Sequence, residues 1–309
     1  MKQHTSAPAQ QANMTEEALS RRLGRLQRVG ALAICVAILA VLSCVVVLLF
    51  FQQKILGALL FAVAAVGILI GSSMQKKKKA LIHDQLGASF RAERERVFGA
   101  DPQTPELSID EAWLRASRLT GRVWERCEIR NFHEGMHRGL RFSAANVILL
   151  HVYETNSGQE GPSTHTTNMF DGIVIRCRTA FRAPARVYVR ERIEPDEPDV
   201  IRTSSAAFNQ QLIATCDNQS AALGLLTPQF LAALEELEKN FRDKLSGLIW
   251  EDDTLTLAFN TKYVFADVPD ELDARDIEAL RKWYTASLNG MCFVLDTLRD
   301  KAPVFQPEE

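Results

Sequence analysis

The chain has 309 residues, 36 Lys and Arg against 38 Asp and Glu, and a formal net charge of -2, which leaves room for one sizeable core plus further segments. A near-neutral balance argues against a dedicated nucleic-acid binder, which carries a basic excess to displace counterions from phosphates. The composition is near average overall, yet its apolar residues crowd together close to the N-terminus.

Residues 1–28 read as a disordered tail, polar and without periodicity as far as Asn13, that turns basic at Arg21, Arg22, Arg25 and Arg28. Val29 to Phe51, VGALAICVAILAVLSCVVVLLFF, carries no charge. At about 1.5 Å rise per residue it reaches across a hydrocarbon layer of roughly 30 Å. The connector QQK and a second uncharged stretch, Ile55 to Met74, follow at once. Residues 29–79 therefore predict a transmembrane helical hairpin with basic flanks. A secretory signal would be shorter, would end in a small-residue cleavage site, and would not run directly into another apolar stretch.

The four arginines before the first span, and Lys76, Lys77, Lys78 and Lys79 after the second, outnumber Lys54 in the connector. The positive-inside rule then places both termini in the cytoplasm and the chain in the inner membrane as a multi-pass protein. The lysine run is a membrane-surface element. It serves as a topology anchor that also meets the surface potential or, on a sharper reading, as a site for anionic lipid headgroups. Ala33, Ala37, Ala40 and Cys44 form a small-residue stripe at helical spacing, and Ala64, Gly67 and Gly71 form another. Small residues let helices approach closely in lipid, either to close the hairpin or to build a dimer. The six cysteines include no C-x-x-C pair and suit free thiols in a reducing compartment.

Residues 80–121 predict a helical stalk. Leu81, Leu86, Phe90 and Val97 recur among charges, DPQTP at Asp101 to Pro105 breaks the pattern, and Ile109 to Leu119 reads as a second short helix. Residues 122–309 predict a cytoplasmic α+β domain. Alternation through Val147 to Tyr153, Ile173 to Cys177 and Arg186 to Ile193 marks strands, with Thr155 to Asn168 as a hairpin loop. Thr227 and Pro228 open a helix as N-cap and first helical residue. Strands are expected again at Leu245 to Glu251, Thr254 to Asn260 and Lys262 to Val268, before a long C-terminal helix from Asp273 to about Arg299. The fold class is α+β with a mostly antiparallel sheet.

One short motif invites a catalytic reading. HEGMH at His133 to His137 matches the H-E-x-x-H pattern, in which two histidines hold zinc and the glutamate deprotonates a metal-bound water. That chemistry needs a helix, so that His133, Glu134 and His137 converge, and it needs a third ligand downstream. Gly135 and Gly139 disfavour a helix, the flanks are strand-like, and what comes after His137 is strands holding His151 and a loop holding His165, not a helix with a suitable carboxylate. A polar β-turn or strand start is the competing reading. A second cluster, Arg176, Arg178, Arg186, Arg190 and Arg192 with Tyr188, falls on neighbouring strands. It is either an anion-binding face or a face compensated by nearby carboxylates.

Several stretches together carry a family resemblance: HEGMHRGLRFSAANVILLHVYE at His133 to Glu154, MFDGIVIRC at Met169 to Cys177, AALGLLTPQFLAALEEL at Ala221 to Leu237, and DTLTLAFNTKYVFADV at Asp253 to Val268. With the two adjacent spans, they resemble a bacterial membrane-protein family of unknown function that has a cytoplasmic α+β region. The resemblance implies that Gly135 matters and that the neighbouring histidines are incidental. It also implies a membrane-protein partner, since members of that family are often encoded beside LemA-like proteins, and it supplies no catalytic residues and no cofactor. The expectation is a non-enzymatic binding or scaffold domain tethered to the bilayer. The alternatives are a membrane-anchored zinc peptidase using HEGMH and a lipid sensor using the lysine run and the arginine-bearing sheet.

Overall fold

The computed structural model describes residues 16–47, 54–157, 161–194, 200–241, 244–262, 264–268, 272–273 and 276–305. The N-terminal tail as far as residue 15 and the connector at 48–53 lie outside the described residues. The chain forms two compact units, residues 1–92 with 270–283, and residues 93–269 with 284–309.

The first unit holds two long helices, α1 (Glu16–Val46) and α2 (Lys54–Phe98) as far as residue 92, both long and apolar enough to cross a membrane. They pack closely along their small-residue stripes. A Cβ on Gly67 would stand 2.8 Å from the Ala33 carbonyl oxygen and 2.9 Å from Ala37 Cβ, so only glycine admits α1 at this distance. Farther along the pair, the Cys44 thiol donates to the Gly57 carbonyl oxygen at 3.3 Å. The stripes thus close the hairpin itself.

The second unit is built on a seven-stranded antiparallel sheet in the order β1-β2-β3-β7-β6-β4-β5. Its strands are β1 (Arg126–His137), β2 (Leu140–Ser157), β3 (Gly161–Arg178), β4 (Val187–Glu191), β5 (Leu212–Thr215), β6 (Lys244–Glu251) and β7 (Thr254–Asn260). β1 to β3 form a meander, and the β6–β7 hairpin docks on β3. Both faces are apolar and both are covered. On one face Ala145, Val147, Leu149, Val174 and Ala258 meet Ile109, Leu114, Leu119 and Trp124 from residues 99–124. That segment includes α3 (Glu111–Ser117), capped by Asp110, whose carboxylate accepts from the Trp113 N–H. It packs on the sheet rather than extending as a helical stalk, because Leu107 through Trp124 supply the cover this face lacks.

On the opposite face lie Phe142, Ala144, Ile173, Ile175, Leu257 and Phe259, all buried. This face receives α6 (Pro228–Phe241) through a Phe241–Phe259 ring contact at 5.0 Å. It receives the C-terminal part of α7 (Ile277–Lys301) through Asp296, which reaches His137. α4 (Ala206–Gln211) and α5 (Gln219–Leu225) complete the α-helices among the described residues, and a 3-10 turn follows at Pro303–Phe305. Thr227 caps α6 as expected, its hydroxyl accepting from the Phe230 N–H.

The part of the expected disordered tail from Glu16 to Arg28 is helical in α1, and three further expectations are corrected. Strand pairing continues to Ser157 and resumes at Gly161, where a loop was expected from Thr155 to Asn168; the β-branched Thr164, Thr166 and Thr167 favour the ladder over a turn. No strand forms over the described part of Lys262 to Val268. There the Asn146 amide donates to the Phe265 carbonyl oxygen and accepts from the Phe265 N–H, both at 2.9 Å, and Ala266 takes a positive φ that ends any extended run. The C-terminal helix starts at Ile277, with Asp276 accepting from the Ala279 N–H, rather than near Asp273. α4, β5 and α5 were not foreseen, since each is only four to seven residues long and shows no readable period.

Asn146→Ala removes both bonds that hold Phe265 over the sheet and leaves a backbone pair unsatisfied. It is expected to destabilise the sheet unit by about 2–3 kcal/mol, whereas Thr227→Ala costs about 1 kcal/mol. Urea unfolding followed by tryptophan fluorescence measures both.

Candidate functional site at the end of the long helix

The HEGMH stretch forms the end of β1, and the turn Arg138–Gly139, with both φ positive at 47° and 83°, carries the chain into β2. A bulge interrupts β1 between Arg130 and His133, with Asn131 at φ 53°. Its extra residue changes which face the following side chains take. Ile129, opposite Val147, packs in the cluster under α3, whereas His133, opposite Ala144, lies on the other face.

The last turn of α2 closes over this end of the strand. Phe98 is 1% exposed, and its ring lies 5.0 Å from Phe142, 6.0 Å from His133, 6.2 Å from His137 and 6.3 Å from Phe265. Gly135 permits this approach: a Cβ there would fall 2.5 Å from the Phe98 carbonyl oxygen and 2.8 Å from His133 Nε2. Asp101 follows Phe98 closely and ties the helix end down. One carboxylate oxygen accepts from the Glu134 N–H at 3.0 Å and the other from Arg94 Nη2 at 3.1 Å. It therefore covers a backbone donor on the open edge of β1.

His133 is fully buried here. Its Nδ1 stands 2.7 Å from Asp101 Oδ1 but off the line of a good hydrogen bond, and Nε2 has no partner. Burial draws the imidazole down to about 4, the Arg94 guanidinium pushes the same way, and Asp101 opposes both. The ring is neutral at neutral pH. His137 meets Asp296 at 3.1 Å, and Arg138 and Arg299 reach the same carboxylate oxygen at 3.3 and 3.5 Å.

Glu134 points through the sheet to the other face. Its Oε2 accepts from the Leu107 N–H at 2.9 Å, while the buried Oε1 has no hydrogen-bond partner and stands 3.9 Å from Arg141 Nη1. Beside it the Ser143 hydroxyl donates to the Leu107 carbonyl oxygen at 2.6 Å, and Arg176 donates to the Ser108 carbonyl oxygen and lies over the Trp113 ring. Burial draws the Arg176 guanidinium down to about 10, so it keeps its charge at neutral pH. These groups stitch residues 106–110 onto the sheet.

The zincin arrangement is not formed by this geometry. Four residues of strand separate His133 and His137 by about 13 Å along the chain, against about 6 Å in a helix, and alternation sends Glu134 to the opposite face. Among the described residues no group of three or more potential ligands gathers to hold a metal. The arginine cluster is also divided. Arg178 pairs with Asp253 and Glu106, Arg186 donates to the Ser117 carbonyl oxygen, and Arg190 and Arg192 donate to the Glu191 and Asn209 carbonyl oxygens. Of the lysine run, Lys76 and Lys77 are exposed and Lys78 turns inward at 4% exposure. Four consecutive helical residues cannot share a face, because each advances about 100°. The Lys79 side chain lies outside the described residues.

Nothing in the sequence marks Phe98 and Asp101 as partners of HEGMH. The one available signal was Gly135, a glycine inside a strand, which marks a close backbone approach.

No family profile matches the chain, and no curated protein matches it. Among solved structures, the mycobacterial trehalose monomycolate transport factor A, TtfA, aligns at 14% identity over 72% of this chain and 98% of that one, with a TM-score of 0.30. At that distance the likeness carries no argument.

Gly135→Ala drives a methyl group into the Phe98 backbone and is expected to cost at least about 2 kcal/mol in urea unfolding. Met136→Ala, at a half-exposed neighbour, should stay within about 0.5 kcal/mol. Because folded His133 titrates near 4 and an unfolded histidine near 6.5, its contribution is complete above pH 6.5 and is lost as pH falls through 4. The wild-type chain should lose on the order of 3 kcal/mol across that window. Unfolding curves at stepped pH should show a shallower loss for His133→Gln.

Proposed function

We propose that this chain is a membrane-anchored protein whose α+β domain works in the cytoplasm as a non-enzymatic binding or scaffold module. The observation that supports the anchor is the apolar surface of the hairpin. Leu32, Leu39, Phe61 and Leu69 are between 64% and 69% exposed, and Ile55 is 81% exposed, among many others on both helices. Burying one such side chain is worth about 1.5–3 kcal/mol, so leaving this belt in water would cost well over 10 kcal/mol, more than many domains have in total stability. Lipid removes that cost.

The sidedness rests on the basic residues that flank the belt. Arg21, Arg22, Arg25 and Arg28 on α1 and Lys76 and Lys77 on α2 are exposed, and the positive-inside rule sets that end in the cytoplasm. The binding role is supported by the way conspicuous polar residues are used. His133, Glu134 and Arg176 hold residues 98–110 against the sheet, and no pair of them converges on a cleft.

The test is extraction combined with labelling. The chain should stay in the membrane fraction through alkaline washing. In intact cells with a breached outer layer, a membrane-impermeant maleimide should modify Gln52→Cys in the connector, in a background free of other cysteines, and leave Glu308→Cys unmodified until the membrane is opened. Release by alkali defeats the anchor, and labelling of Glu308→Cys in sealed cells reverses the sidedness.

A further inference from the structure

We propose that Arg22, Arg25, Arg28, Lys76 and Lys77 form a collar that binds the headgroup phosphates of anionic phospholipids; this rests on the membrane anchor proposed above and names its partner. The sequence shows two basic runs separated by more than forty residues, and helix packing brings them to one level. A Cβ on Gly30 would stand 3.3 Å from Met74 Cβ, and a Cβ on Gly71 would stand 2.8 Å from Ile34 Cγ1 and 3.7 Å from the Gly30 carbonyl oxygen. The helices are thus in contact at Gly30, Gly71 and Met74. The arginines preceding Gly30 and the lysines following Met74 leave that contact on the same end of the hairpin.

All five side chains are exposed, and among the described residues none makes an ion pair. Arg21 differs, since it pairs with Glu17 at 3.1 Å and shares a cleft with Glu17, Asp273, Asp276 and Glu278. Those carboxylates compensate the lower end of α1 and leave the turn nearest the apolar belt uncompensated. Arg22 and Arg25, and Arg25 and Arg28, are three apart on one helix, a spacing at which like charges repel. A helix that gathers cations this way is stabilised by anions arriving from outside.

The position selects which anions. The exposed apolar belt on α1 begins at Val29, and on α2 it ends at Ile70. The collar therefore begins where hydrocarbon gives way to headgroups, within reach of a lipid phosphate. Three of the five residues are arginines, whose planar fork pairs with phosphate in two parallel hydrogen bonds and keeps its charge there. A pure topology signal needs only a count of positive residues near the spans. It does not need them stripped of carboxylates and brought to one level by helix packing.

The experiment uses the full chain in bilayers of equal phosphatidylglycerol and phosphatidylcholine. The chain is extracted in mild detergent, and the lipid that remains bound is measured by mass spectrometry. Phosphatidylglycerol should be enriched roughly tenfold over phosphatidylcholine. The enrichment should fall in high salt, weaken without vanishing in R22K/R25K/R28K, which keeps the charge but loses the fork, and vanish in R25Q/R28Q/K76Q/K77Q. A chain that floats with the vesicles but holds both lipids equally, or a glutamine variant that keeps the enrichment, overturns the collar and leaves the anchor standing. A chain that does not float with the vesicles overturns both.

Discussion

Along β2, Phe142 and Ala144 point to one side of the sheet while Ala145, Val147 and Leu149 point to the other, and all five are buried. A strand that is apolar on both faces has to be covered twice. One cover is the irregular segment from Leu107 to Trp124, the other is the pair α6 and α7, and the polar network around HEGMH follows from fastening the first of these. An irregular cover has backbone groups to satisfy once it leaves water. Glu134 and Ser143 take the N–H and carbonyl oxygen of Leu107, and Arg176 takes the carbonyl oxygen of Ser108. Glu134, which matches a catalytic motif in one dimension, thus holds this cover to the sheet in three.

The same economy explains the opposite face. α2 ends in Phe98 against a ring cluster, and Asp101 turns back to meet the exposed N–H of Glu134. Because β1 is an edge strand, that donor would otherwise face outward without a partner. The cost is a buried histidine with an unpartnered nitrogen, held neutral by its surroundings. A bulge at Asn131 makes the arrangement possible, since it moves His133 out of the face that holds Ile129.

The hairpin unit follows different physics. In the lipid proposed above, its helices would not gain from hiding apolar surface against each other, since the outer surface stays apolar. Their contact rests on close backbone approach at Gly67 and Gly71. Packing at such short range also fixes the level of every flanking charge, and this gives the basic ends a shape as well as a count.

The sequence by itself determined the elements whose signal is local and long: the two uncharged helical stretches, the basic flanks, the capped start of α6 at Thr227 and Pro228, and the strands β6 and β7. Each depends on hydrophobic period or on a cap, and both are written within a single turn or strand. It also showed that HEGMH lacked helical context, because Gly135 and Gly139 are poor helix formers. Only the tertiary structure decided that Phe98 and Asp101 meet that stretch, that the loop around Phe265 is pinned by Asn146 in place of a strand, and that Lys78 turns inward while Lys76 and Lys77 do not. Those outcomes depend on a bulge that changes side-chain phase and on partners more than thirty residues away, and neither leaves a period in the sequence to be read.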